Sequence, residues 1–317
     1  MRTGQSLALE FASLAEKRRI QVIVNPISGR PGGRTVLEGL CGRMQSAGHD
    51  VHVYHTQAPG DARNAAERSV SEGADLIVIS GGDGTISQVV DGIEQADIPI
   101  LVVPSGTANI LGKYLGTRLD EEWLWQVFEA GRDVEFDVLQ QNGTRFLMVA
   151  GAGFDAEAVR RLTQRRRGHI SYLSYVSPIW ETFWHYRHPN LTVEADGDLV
   201  YEGPGLALVG NLPRYATSLH VFDRALPNDG LLDLCVFRCQ RKSSLLYHAL
   251  NVLLKRHEGT SGVTYQQARH IHIRSDGRVP VQLDGDVAGW LPAEFKLAPE
   301  KVRFLVSETW KMAGVVD

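Results

Sequence analysis

Long hydrophobic runs are missing from this 317-residue chain. No apolar stretch reaches the roughly 18 residues that a bilayer-spanning helix needs, so any contact with lipid has to be made from the aqueous side. Cysteine is scarce: only Cys41, Cys235 and Cys239 occur. An odd number without neighbouring ligand types argues against a disulfide framework or a zinc site. It suits small apolar residues near strands, in a reducing compartment. Net charge is low, −4 at neutral pH. That gives no support to a nucleic-acid binder, which usually concentrates a basic face. Neither a G-x-G-x-x-G turn after a strand nor a GxxxxGK[ST] loop is present, which removes two common nucleotide fingerprints. The first nineteen residues resemble neither a secretion signal nor a span, because their apolar stretch is short and broken by acidic residues. They are expected to form a short helix or an extension.

What is present is ordinary globular composition, 43 % hydrophobic and 22 % charged, in a chain long enough for two cores. The apolar run at 20–24 ends in NPISGRPGG, and helical spacing follows over 34–47. A second strand is expected at 50–56, a helix at 60–73, a third strand in ADLIVISGGDG, a helix at 85–96, and a fourth strand in IPILVVPSGTAN. This β–α alternation predicts an α/β N-terminal domain, residues 1–132, with a mostly parallel sheet and helices on both faces. From 133 to 317 the character changes to short strands with Asp-Gly and Asn-Gly turns, such as VEFDVLQ, LTVEADG, LLDLCVF, HIHIRSD and VPVQLDGD. That predicts a largely antiparallel, β-rich C-terminal domain with a helical insertion at 154–186 and a helix at 241–256. The last strand, 301–310, could pair with either domain. The histidines at 49, 52, 55, 270 and 272 alternate along strands and read as surface positions rather than zinc ligands.

In sheets of this kind ligands bind beyond the carboxyl ends of the strands. Three Gly/Ser/Thr loops fall there: NPISG (25–29), ISGGDGT (79–85) and PSGTAN (104–109). Adjacent glycines expose backbone N–H groups, and the helix starting near Thr85 turns its positive end to the same space. Together these suit a polyphosphate. Asp83 is a candidate for phosphate-bound Mg²⁺. Thr85 reads either as a helix cap or as a phosphate contact. A plain Gly-Asp-Gly turn is the alternative.

VNPISG, HTQAPGDA, SGGDGT, PSGTAN, GAGFDAE, GNLPRYA through PNDGLLDL, and VQLDGD recur in one order along nearly the whole chain. In this set the sequence resembles the bacterial diacylglycerol kinase and YegS-type lipid kinases. Their superfamily also holds sphingosine kinases and, more distantly, NAD kinases and 6-phosphofructokinases. The resemblance implies a nucleotide cleft between the two domains and two cofactors, ATP and Mg²⁺. It implies that Asn25, Pro26, Ile27, Ser28 and Gly29 line the nucleotide site with Thr56 and Thr107. Gly81, Gly82, Asp83, Gly84, Thr85, Ile86 and Ser87 would form the phosphate loop. Asp229 would bind a metal through its side chain, with Leu226 and Leu231 adding backbone carbonyls. Without metal, that segment reads as an Asn-Asp-Gly turn.

LDGDVAG (283–289) carries two carboxylates around one glycine, and on an extended strand Asp284 and Asp286 would face one side. An exposed Asp-Gly hairpin turn is the alternative. By resemblance Asp286 is the general base, Asp284 orients metal and phosphates, and Asp83 completes the catalytic set. The expected reaction moves the γ-phosphoryl of Mg-ATP to a lipid alcohol, diacylglycerol above all, giving phosphatidic acid. A soluble alcohol or nucleotide acceptor, or a noncatalytic sensor, are the alternatives. Three positions depart from the family's common pattern: Gln88 and Asp286 each stand for glutamate, and Ile110 for Asn or Asp.

Arginines crowd 160–167, and Tyr172, Tyr175, Trp180, Phe183, Trp184 and Tyr186 follow them. These suit either a solvated face with a core stripe, or headgroup contact with an acyl groove. The resulting expectation is a cytoplasmic enzyme that touches the inner membrane face transiently and binds no nucleic acid. Whether it acts alone or as a homodimer stays open.

Overall fold

The computed structural model describes residues 16–28, 32–94, 97–165, 173–215 and 219–312. Most of the expected N-terminal helix or extension lies outside them, as do Gly29, Arg166, Arg167 and Tyr172. In the first domain β1 (Arg19–Val24), β2 (Asp50–His55), β3 (Leu76–Gly81) and β4 (Ile100–Pro104) are all parallel, in the order β2-β1-β3-β4. β3 and β4 are buried along their whole length. A parallel strand covered on both faces needs such an unbroken apolar run.

The two faces separate with the period of two that a strand imposes. Ile23, Ile77 and Ile79 pack with Ala62 and Ala65 of α2 (Asp61–Ser71) and with Val89 and Val90 of α3 (Asp83–Gly92). Val22, Leu76 and Val78 pack instead with Leu37, Leu40 and Met44 of α1 (Gly33–Ser46). The strand order reverses between β1 and β3, so the crevice above that point is the natural ligand position.

A short α4 (Ile110–Tyr114) and α5 (Glu121–Ala130) follow. The sequence reading passed over α5. Its signal is nonetheless physical: an Asp120 carboxylate oxygen accepts from Trp123 N at 2.8 Å, and Glu121 and Glu122 fill the first turn.

The second part is β-rich and mostly antiparallel. Its strands are β5 (Arg132–Gln141), β6 (Thr144–Phe146), β7 (Val149–Ala152), β8 (Asn190–Ala195), β9 (Asp198–Gly210), β10 (Arg214–Tyr215), β11 (Leu219–His220) and β12 (Leu232–Arg238). β13 (Val263–Ala268), β14 (His270–Ser275), β15 (Pro280–Leu283), β16 (Asp286–Trp290) and β17 (Ala293–Val306) complete them. The expected insertion is two helices, α6 (Phe154–Arg165) and α7 (Leu173–His185), and α8 (Lys242–Leu253) comes later.

β17 joins the two parts. Its first half pairs with β14, while Phe304 in its second half pairs with Ile100 of β4 in parallel. β5 runs antiparallel to both halves, with a register shift between Leu297 and Lys301. Phe136 and Phe304 meet edge to face at 5.3 Å, and Tyr114 adds a ring 5.8 Å from Phe136. This aromatic packing fixes the junction on which the loops below converge.

Candidate active site

The three glycine-rich loops meet at one corner. Asn25 donates from Nδ2 to Thr85 Oγ1 at 3.0 Å, and its own N–H reaches Ser80 O at 2.9 Å. Asn25 therefore ties the end of β1 to the turn after β3, across the reversal in strand order. Pro26–Ser28 form a single 3₁₀ turn, with Ile27 exposed. Thr56 N donates to Val24 O at 2.9 Å and extends the β1–β2 pairing.

The glycines serve close approach more than a left-handed backbone. Gly82 is extended, and a Cβ on Gly106 would lie 2.3 Å from Gly82 Cα. A Cβ on Gly81 would lie 2.6 Å from Thr85 Cβ. Gly106 N also donates to Gly81 O at 3.2 Å, so the second and third loops touch backbone to backbone. Thr107 follows in this third loop, half-buried.

Gly82 caps α3, and no side chain caps it. Thr85 N donates to Gly82 O at 3.0 Å, which leaves the Asp83 and Gly84 amides as the first-turn donors without an intrahelical partner, the arrangement an anion site uses. Thr85 is not the cap: its hydroxyl is buried against Asn25. Asp83 turns to α4, where its Oδ1 accepts from Leu111 N at 3.2 Å. Burial pushes its carboxyl up, opposed by the Ile110 and Leu111 amides.

Asp284 and Asp286 do not share one face of an extended strand. Asp284 (φ 49°) and Gly285 (φ 92°) form the two-residue turn between β15 and β16, both left-handed, the type I′ geometry that Asp-Gly favours. The turn separates their roles. Asp284 Oδ1 accepts from Met148 N (2.9 Å) and Val149 N (2.8 Å), and Oδ2 accepts from Leu147 N (2.9 Å) and from the Ser87 hydroxyl. Those four bonds fill a carboxylate's acceptor capacity. Burial pushes the Asp284 carboxyl up and these donors oppose it. Because Ser87 sits on α3, the bond pins the second domain to the phosphate-loop helix. Asp286 opens β16, is exposed, and stands against that same helix: a Cβ on Gly84 would lie 3.8 Å from Asp286 Oδ2.

Sequence reasoning assigned no role to Asp155, the first of the two acidic residues of GAGFDAE. Its Oδ2 accepts from Gln282 Nε2 (3.1 Å) and Tyr215 Oη (3.4 Å), while its Oδ1 is buried without a partner. Burial pushes this carboxyl up to about 6. Gln282 Oε1 in turn accepts from Gly285 N at 2.7 Å. Asp155 therefore holds the Asp284–Asp286 turn through one side chain. The signal was an acid just after closely spaced glycines: a Cβ on Gly151 would lie 1.7 Å from Asp155 Oδ2.

The expected metal loop is organised by Asp137, which the sequence reading also missed. Asp137 Oδ2 accepts from Gly230 N (2.8 Å), and its Oδ1 pairs with Lys301 Nζ (3.0 Å). Asp229 Oδ1 accepts from Leu231 N (3.0 Å), and Leu226 O accepts from Asp229 N (3.5 Å). No hydrogen bond joins this loop directly to the Asp284–Asp286 turn among the described residues. Asn211 bridges them, giving its N–H to Met148 O (3.0 Å) and its Nδ2 to Asp137 O (2.9 Å). Asn211 Oδ1 is buried without a partner. Among the described residues no three His, Cys, Asp or Glu side chains form a metal cage. The donors at both places are oxygens, which fits a hard cation that keeps some of its waters, as Mg²⁺ does.

In the insertion Arg160 and Arg161 both pair with Glu157 at 2.8 Å, and Arg161 also reaches Glu181. These two arginines are thus committed within the helix pair. Phe183 packs on the core, whereas Trp180 and Trp184 are exposed. No helix among the described residues is long and apolar enough to cross a membrane.

Comparison with known proteins finds relatives along nearly the whole chain. Residues 19–141 match the diacylglycerol kinase catalytic domain, and residues 148–306 the YegS C-terminal NAD kinase beta sandwich-like domain. A diacylglycerol kinase of Bacillus subtilis is 28 % identical over 290 residues, covering 88 % of this chain and 93 % of that protein. One from Staphylococcus carnosus is 27 % identical over 285 residues, 88 % of this chain and 92 % of that one. A crystal structure of a diacylglycerol kinase from Bacillus anthracis shares the fold with a TM-score of 0.69 at 21 % identity, covering 92 % of this chain and 98 % of that chain. Another structure from the same organism reaches 0.74 at 23 % identity with the same coverage.

Proposed function

Because the chain belongs to the family that joins a diacylglycerol kinase catalytic domain to a YegS-type C-terminal domain, we propose that it transfers the γ-phosphoryl of ATP to a lipid alcohol, with diacylglycerol as acceptor. One observation carries this reading. The Asp286 carboxylate stands beside Gly84, in the first turn of the uncapped α3. A phosphate held by those amides and a hydroxyl beside that carboxylate would be neighbours.

In this reading Asn25–Ser28, Thr56 and Thr107 line the nucleotide site, and Gly81–Thr85 hold the phosphates with backbone donors. Mg²⁺, when bound, spreads the negative charge of the transferred group. Asp83 and Asp286 would be the carboxylates to hold it, and Asp229 with the carbonyls of Leu226 and Leu231 would offer a second oxygen-donor position. Asp286 accepts the proton of the attacking hydroxyl as the oxygen–phosphorus bond forms. Being one methylene shorter than glutamate, it requires the acceptor about 1 Å closer. Asp284 is a positioning residue: its four bonds set where the turn, and so Asp286, stands.

The test is transfer of labelled phosphate from ATP to a panel of lipid alcohols in mixed micelles, with Mg²⁺ and with chelator. A Mg²⁺-dependent, chloroform-soluble product is expected, together with a loss of about 10²-fold or more in the Asp286→Asn protein. ATP binding without any lipid product would move the acceptor to a soluble alcohol, and unchanged transfer by Asp286→Asn would remove the base assignment.

A further inference from the structure

α8 is apolar on both faces. Its inward residues Leu245, His248 and Val252 are buried. Its outward residues Leu246, Tyr247, Leu250 and Leu253, with Leu254 just beyond, are 48–66 % exposed. Leu246, Leu250 and Leu253 are spaced i, i+4, i+7 and form one stripe. A helix that is hydrophobic all round belongs in a core or in lipid.

Charge selects the occupant. α8 contains no acidic residue; Arg241 and Lys242 stand at its start, and Lys255 and Arg256 just past its end. Lys242 Nζ lies 4.6 Å over the ring of Trp184, so the start of α8 abuts the end of α7. There Val176, Ile179, Trp180 and Trp184 are 44–63 % exposed. Leucines between basic ends, bordered by indole rings, match a helix lying in a membrane interface, with cationic heads reaching the headgroups. A second copy of this chain fits less well. In a two-fold pairing along this face, either orientation sets a basic end against a basic end.

We propose that the outer face of α8, extended by Trp180 and Trp184, is the surface that seats the protein on an anionic bilayer. This rests on the lipid-acceptor reading and deepens it: the acceptor would be taken from the membrane plane.

The experiment is sedimentation with vesicles of equal parts phosphatidylglycerol and phosphatidylcholine, and with phosphatidylcholine alone. The wild type should pellet with the anionic vesicles. Leu250→Glu with Leu253→Glu should weaken that binding about a hundredfold or more, while leaving phosphorylation of a monomeric short-chain diacylglycerol unchanged. A second variant, Lys255→Glu with Arg256→Glu, keeps the leucines and should lose the preference for anionic vesicles. The proposal is overturned if the wild type ignores anionic vesicles, or if the leucine variant binds them as the wild type does. In the latter case, a wild-type dimer that the leucine variant dissociates would identify a second copy as the occupant. If no lipid alcohol is phosphorylated yet binding still needs Leu250 and Leu253, the acceptor reading fails and the surface stands.

Discussion

Replacing Asp155 by asparagine should stabilise the protein at neutral pH. The carboxyl tip of Asp155 is buried, and Oδ1 lacks a hydrogen bond; two neutral side-chain donors reach Oδ2 and the Ala156 amide also favours the charged form, yet burial outweighs them. Its pKa of about 6 stands above the ordinary 3.8, a displacement worth about 3 kcal/mol. The sign follows from linkage. A group whose folded-state pKa is raised favours the fold while it is protonated. That contribution is complete below pH about 4, the unfolded value, and is lost as pH rises through about 6. Asparagine cannot ionise. It keeps an oxygen for Gln282 and Tyr215 and puts an –NH₂ in place of the unpartnered Oδ1. Urea unfolding of both proteins from pH 4 to pH 8 reads this out. The difference in unfolding free energy should be smallest near pH 4, grow in favour of Asp155→Asn towards pH 6, and level off near 3 kcal/mol. A difference that is constant across the range would refute the assignment of a strained, ionised carboxylate at 155.

Two further substitutions probe the corner itself. Ser87→Ala removes the one side-chain donor to Asp284 among the described residues and should cost about 2 kcal/mol of stability in urea. KM for ATP should hold, because the hydroxyl faces Asp284; a raised KM with unchanged stability would place Ser87 on the nucleotide instead. Gly106→Ala puts a methyl 2.3 Å from Gly82 Cα, so the two loops must part at a cost of about 1–3 kcal/mol. Titration with a fluorescent ATP analogue should show nucleotide affinity falling at least about tenfold, and unaltered affinity would mean the loops do not form the site together.

The parallel half of the fold was legible because its central strands are covered on both faces. LIVIS and ILVVP are written as unbroken apolar runs, and the loops after them are the ones that meet. The junction was far less legible. Asp284 takes its amide donors from Leu147–Val149 and its hydroxyl donor from Ser87, segments far from it in the chain. Nothing local distinguishes such a carboxylate from one facing a ligand. The Asp-Gly pair did carry a local signal for a left-handed hairpin turn, and reading it as extended strand put both carboxylates on one face. Asp137 lies inside a strand with the apolar pattern of its neighbours, and its loop contacts are wholly tertiary. Arg160 and Arg161 read as part of a free basic cluster, since the i+3 and i+4 spacing to Glu157 was not weighed. Gly29 and the arginines at 166 and 167 fall outside the described residues.

The three departures from the family pattern are not equivalent once placed. Gln88 Oε1 accepts from Gly60 N at 3.2 Å and anchors the HTQAPGD loop, a task an amide oxygen performs as well as a carboxylate. Ile110 is 8 % exposed and packs in the core of the first domain, at the start of α4, which Asp83 holds through Leu111 N. Those two residues act on the packing around the phosphate corner. Asp286 alone of the three stands exposed at that corner, beside the α3 terminus. Its backbone position is governed by the Gly285–Gln282–Asp155 chain on one side and the four bonds of Asp284 on the other. Under the proposed reading its shorter side chain would have to be met by the approach of the acceptor, because the turn is held from both sides. If the family's usual glutamate were restored, the carboxylate would reach about 1 Å further from the same rigid turn. Under the proposed function the substitution would therefore act on acceptor geometry and leave the glycine-rich loops as they are.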